Sequence, residues 1–138
     1  MMKKRQQKII DMLKNVASDN EHPVRAYRHA AAVVIKNKVV GMGVNSYKTH
    51  PFQTKYASKD EAIYLHAETS AIKDALRTVP VEELGRATLY VARVKKKGPK
   101  SIEYINAMSK PCEGCERCIA DFGIRTVIYT TEEGIDML

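Results

Sequence analysis

The run Ala30–Val44, AAAVVIKNKVVGMGV, constrains the fold more than any other part of this chain. Two β-rich segments meet at the polar turn Lys36-Asn37-Lys38, the pattern of a hairpin. Before it, Ile9, Leu13 and Val16, with Met12 beside them, recur at helical spacing and predict an amphipathic helix. After it, Asn45 to Lys59 is polar, broken by Pro51, and reads as a long loop. The stretch EAIYLHAETSAIKDALRTV then predicts a second helix with Ile72, Ala75, Leu76 and Val79 on its apolar face. ATLYVARV reads as a third strand, KKKGPKSIEYINAMSK as a basic, loop-rich segment, and RTVIYT as a last strand. Between these last two, Pro111 opens a short helix through CEGCERCIADF, which Gly123 closes in the C′ role. Strands alternating with helices in the second half predict a three-layer α/β/α sandwich around a mixed sheet of four to five strands.

No repeat, low-complexity tract or linker divides residues 1–138, so a single domain is expected. An apolar content of 44% supports a packed core. The opening MMKKRQQKIIDMLKNV is charged and amphipathic, and no apolar run approaches the ~20 residues a membrane helix needs. A soluble, cytoplasmic protein with no membrane partner is the expectation. The net charge of +7, from 23 Lys and Arg against 16 Asp and Glu, suits anionic partners: a phosphorylated small molecule or nucleic acid.

The chemistry is concentrated in two places. His66 and Glu68 sit two residues apart in a mostly apolar helical run, where an unpaired buried carboxylate is costly. Cys112, Cys115 and Cys118 fall within seven residues, a poor disulfide framework but a good source of metal ligands. Cysteines three apart at a helix start share a face, and the helix dipole there favours thiolate over thiol. Cys112, Cys115 and His66 make a Cys₂His set, and three protein ligands leave a zinc ion its fourth position for water. Zinc lowers the pKa of that water from 15.7 to about 7, and Glu68 is placed to carry its proton. Regular helical geometry would point residues i and i+2 to nearly opposite sides, so His66 and Glu68 are expected at the helix's first turn. Half a zinc ribbon or an iron–sulfur run would need further cysteines, and Cys118 reads better as a small buried hydrophobe.

The pattern H-x-E…P-C-x-x-C, carried here by His66, Glu68, Pro111, Cys112 and Cys115, resembles the zinc-dependent cytidine and deoxycytidylate deaminase superfamily, in particular free-standing dCMP-type members of bacteria and bacteriophages. The likeness runs from about Arg28 to Thr130. It implies one catalytic zinc on His66, Cys112 and Cys115, with Glu68 as proton shuttle. It also implies that Asn45, after Gly43-Val44, contacts the substrate, and that Ala67 and Pro111 line the pocket. Two departures stand out. TEEGIDML is too short for the helix and fifth strand that usually follow, so the sheet is expected to be a strand shorter or its edge covered by a partner chain. The Lys95–Lys110 insert also widens the gap before the metal helix.

The reading is hydrolytic deamination of the cytosine base of a free nucleotide such as dCMP or CMP, by a homo-oligomer. A polynucleotide deaminase acting on cytosine or adenine would use the 95–110 segment as a nucleic-acid groove, with Tyr64, Tyr90 or Tyr104 stacking on bases. A nucleoside deaminase and a non-catalytic zinc module that binds nucleic acid stay open too.

Overall fold

The computed structural model describes residues 4–20, 28–46 and 66–138. Its elements are α1 (Lys4–Ser18), β1 (Arg28–Ile35), β2 (Lys38–Val44), α2 (Ala67–Ala75), a 3-10 turn (Val81–Arg86), β3 (Thr88–Lys96), β4 (Tyr104–Ala107), α3 (Glu113–Asp121), β5 (Thr126–Thr131) and β6 (Gly134–Met137). The path across the sheet is β2-β1-β3-β5-β6, with β4 paired to β3. All pairings are antiparallel except β3 with β5.

The alternation of side chains across β1 and β3 builds the three layers. Ala31, Val33, Ile35, Leu89 and Val91 face one side, where they pack with Ile72 and Ala75 of α2 and Cys118 and Ile119 of α3. Ala30, Ala32, Val34, Tyr90, Ala92 and Val94 face the other, against Ile10, Leu13 and Ala17 of α1. The buried stripe of α1 is rotated by about one residue from the expected one: Ile9, Met12 and Val16 flank it, while Ile10 and Leu13 are fully enclosed. Each of these two contributes about 1.5–3 kcal/mol by leaving water.

The β1–β2 hairpin closes on Lys36 and Asn37, whose φ angles of 51° and 66° define a left-handed two-residue turn. On β2, Gly41 and Gly43 let α2 approach closely. An added Cβ at Gly41 would lie 2.4 Å from the Ala71 carbonyl oxygen, and one at Gly43 would lie 2.5 Å from Ser70 Cβ. Asp74 of α2 accepts the Met42 backbone N–H at 3.0 Å, so the helix also satisfies this edge strand.

Among the described residues the sheet has six strands, more than expected, and the extra ones come from the insert and from the segment after β5. Within the basic insert, Tyr104–Ala107 returns along Arg93–Lys96 as β4. At the C-terminal end, the chain reverses at Glu132-Glu133 and Gly134, with φ +155°, lets β6 pair with β5. The segment after β5 thus adds a strand by a hairpin, where a shorter sheet was expected. The helix expected over 61–79 begins at Ala67 among the described residues, because His66 is extended; residues 61–65 lie outside them. Likewise α3 starts at Glu113, so Pro111 precedes the helix rather than opening it. Gly123, at φ +77°, follows the α3 cap as expected.

Candidate metal centre

His66 and Cys112 occupy equivalent places, each the extended N-cap residue of a nine-residue helix. The first intrahelical bonds run from Ser70 N–H to the His66 carbonyl (3.0 Å) and from Glu116 N–H to the Cys112 carbonyl (2.8 Å). Neither side chain caps its own helix. Instead, His66 Nδ1 lies 3.2 Å from Cys115 Sγ and 3.6 Å from Cys112 Sγ, and the three donor atoms all fall within 4.8 Å of one another. A tetrahedral zinc with Zn–S of about 2.3 Å and Zn–N of about 2.0 Å spaces sulfur from nitrogen by about 3.5 Å. The donor set therefore fits zinc in both chemistry and span.

Because His66 stands outside α2, the two-residue spacing to Glu68 no longer separates them. Glu68, the second residue of the helix, is buried, and its carboxylate senses the His66 ring. Burial is the largest influence and pushes its pKa above the usual carboxylate range. The two thiols are driven apart. Cys112 is exposed and falls to about 3, chiefly because Cys115 hydrogen-bonds to its sulfur. Cys115 is buried and rises well above 9, held up by that same bond and by desolvation. His66 rises through its hydrogen bond to Cys112.

Asn45 is buried just past the end of β2, where its Oδ1 accepts the His29 backbone N–H (3.1 Å) and Asn20 Nδ2 (3.2 Å). Ala67 packs into the core between His66 and Glu68, and Pro111 is buried beside Cys112. Cys118 lies wholly in the core and is not part of the donor set. Tyr90 and Tyr104 pack on the α1 side, Tyr104 beneath the Arg28 guanidinium at 5.5 Å, so neither faces the centre. Lys95 pairs with Glu132 and Lys97 with Glu103. Tyr64, like the loop beyond Ser46, lies outside the described residues.

The sequence reading missed His29. It shares the parity of Ala31 and Val33 on β1, so it faces the α2–α3 side. Burial first, then the Arg93 cation and His66, lower its pKa to about 4. A histidine interrupting the run after Arg28 was the available signal. Also missed were Ser109 and Thr130, buried polar residues at the ends of the insert and of β5.

Three protein donors at two helix starts, beside a buried carboxylate, define a metal-dependent hydrolytic site. The family model for the cytidine and deoxycytidylate deaminase zinc-binding region matches residues 3–131, and the chain belongs to that family of zinc-dependent hydrolytic deaminases. No curated protein matches the sequence. Among solved structures, the apo dCMP deaminase of cyanophage S-TIM5 is similar in fold, with TM-score 0.60 and 18% identity over 94% of this chain and 86% of that one. The same phage enzyme in complex with dCMP and dUMP gives 0.59 at 17%, covering 95% and 85%. Acinetobacter baumannii RibD, form 1, gives 0.56 at 16%, covering 93% of this chain but 28% of RibD. Among the described residues, no helix is long and apolar enough to cross a membrane.

Proposed function

We propose that this chain removes the exocyclic amine of a cytosine-type base in a free nucleotide, dCMP or CMP, giving the uracil counterpart and ammonia. The observation that carries the reading is the convergence of His66 Nδ1, Cys112 Sγ and Cys115 Sγ within 4.8 Å beside the buried Glu68. When bound, zinc supplies a water acidified from pKa 15.7 to about 7. Cys112 and Cys115 would hold the metal as thiolates that bring it negative charge, and His66 would hold it through the neutral ring's Nδ1. Glu68 accepts one proton of the attacking water and delivers it to the ring nitrogen, then takes the second proton from the same oxygen and delivers it to the amine, which leaves as ammonia as the C–N bond breaks. Its raised affinity for protons, a result of burial, suits a group that carries one between two steps. Asn45, anchored through Oδ1, orients the sugar or base edge, and Ala67 and Pro111 form the adjoining wall.

A free nucleotide is favoured over a polynucleotide on two grounds. Two lysines that a groove in the 95–110 segment would need, Lys95 and Lys97, already face carboxylates. The S-TIM5 enzyme of similar fold was solved with dCMP and dUMP. The net charge of +7 suits the phosphate of either kind of substrate.

The test is ammonia release by zinc-loaded protein from cytidine, deoxycytidine, CMP, dCMP and short single strands. Turnover of dCMP or CMP far above the nucleosides and strands is expected, and turnover confined to strands would overturn the substrate assignment. Glu68→Gln should keep fold and zinc while losing about 10²-fold or more in turnover; an unaltered rate would remove Glu68 from the mechanism.

A further inference from the structure

At the centre of the sheet β3 changes partners. Its first half, Thr88–Val91, pairs with β5, and its second half, Arg93–Lys96, pairs with β4. Backbone groups at such a fork lose their ladder partners and must find others. Here two buried hydroxyls take over. Ser109 Oγ donates to the Val91 carbonyl (2.9 Å) and accepts the Thr130 N–H (2.7 Å). Thr130 Oγ1 donates to the Ala107 carbonyl (2.8 Å) and accepts the Arg93 N–H (3.0 Å). The two hydroxyl oxygens are 2.9 Å apart, and Ser109 N–H donates to the Thr130 carbonyl at 2.9 Å. Both residues are essentially inaccessible to water.

From this network the chain runs through only Lys110 and Pro111 before reaching Cys112. Proline fixes its own φ and keeps the preceding residue extended, so the arm is short and stiff. Cys115 is held independently, inside α3 and against the core. Cys112 is the N-cap: its carbonyl is tied to the helix by the Glu116 N–H (2.8 Å), but its nitrogen side is carried by the arm, so its position relative to His66 depends also on where the arm starts.

We propose that Ser109 and Thr130 form a latch that positions Cys112 for the metal, although neither touches the donor set. The insert from Lys95 to Lys110 then serves the site: its return leg carries Ser109 into the fork. The inference rests on zinc ligation by His66, Cys112 and Cys115 as read above.

The test compares wild type with Thr130→Val, Ser109→Ala and Thr130→Ser. Zinc affinity is measured by competition with a chromophoric chelator, the thiolate–cobalt charge-transfer band after cobalt(II) loading, and the thermal midpoint of the metal-free protein. Thr130→Val, nearly isosteric, should weaken zinc binding on the order of tenfold or more and alter the cobalt band, while Thr130→Ser restores both. Ser109→Ala should act in the same direction, and the double variant should fall short of the sum because the two share one network. A lowered midpoint with zinc affinity within about twofold of wild type in Thr130→Val would mean a purely structural role and overturn the latch. Should Thr130→Val fail to fold, Ser109→Ala decides by the same two outcomes. A wild-type protein lacking the thiolate–cobalt band would overturn the ligand assignment, and the latch with it.

Discussion

Substituting Gly41 by Ala probes the contact that seats α2. The new Cβ would lie 2.4 Å from the Ala71 carbonyl oxygen, 2.6 Å from the Ala75 nitrogen and 2.7 Å from Ala75 Cβ. All three are backbone or Cβ atoms, so no side chain can rotate away. To reach ordinary contact at 3.4 Å, the helix and strand must part by about 1 Å. Overpacking of this kind costs about 1–3 kcal/mol, and rigid neighbours favour the upper end. For a chain of 138 residues, that lowers the thermal midpoint by about 3–10 °C. Activity should fall as well, because His66 caps this helix, Glu68 lies in its first turn, and a 1 Å misplacement can cost about 10²-fold. Gly43→Ala meets Ser70 Cβ at 2.5 Å, about one turn nearer the donors, and should cost more turnover for similar stability. The assay is thermal unfolding by circular dichroism beside kcat, with Gly98→Ala, which would meet nothing within 4 Å, as control. A Gly41→Ala midpoint equal to that of the control would refute the close-approach argument.

Stability should also respond to acid through His29. Its folded pKa of about 4 lies below the unfolded value near 6.5, so its contribution is full above pH 6.5 and is lost as pH falls towards 4. The amount is about 3 kcal/mol, and His29→Gln should flatten denaturant-derived stability over that window; an unchanged slope would contradict it. Alkylation of metal-free protein at pH 7 by iodoacetamide should mark Cys112 first, as the exposed thiolate, and spare the buried Cys115 and Cys118. Zinc should protect Cys112, and peptide mass spectrometry reads out both results. Equal labelling of Cys115 would mean that the two sulfurs are not differentiated.

Local chemistry carried far along this chain. Apolar period and turn residues announced the β1–β2 hairpin, and Gly123 marked the end of α3. The donors were legible because H-x-E and P-C-x-x-C each have a spacing that makes sense at a helix start. β4 was not legible: Tyr-Ile-Asn-Ala is too short and mixed to outweigh its lysine-rich surroundings, and becomes a strand only because β3 offers it an open edge. His29, Ser109 and Thr130 were hidden for a related reason. Nothing near them in sequence reveals what they touch, since their partners lie across the sheet.

What the residues decided alone was therefore the layer pattern, the metal-binding donor types and the carboxylate beside them, all properties of spacing within one segment. What only the folded chain decided was that two helix starts 46 residues apart place an imidazole and a thiolate 3.6 Å from each other. Periodicity governs how a segment lies against the core. The meeting of distant segments depends on strand pairing, close glycine packing and the satisfaction of backbone groups at the sheet's fork, and these exist only once the layers have assembled.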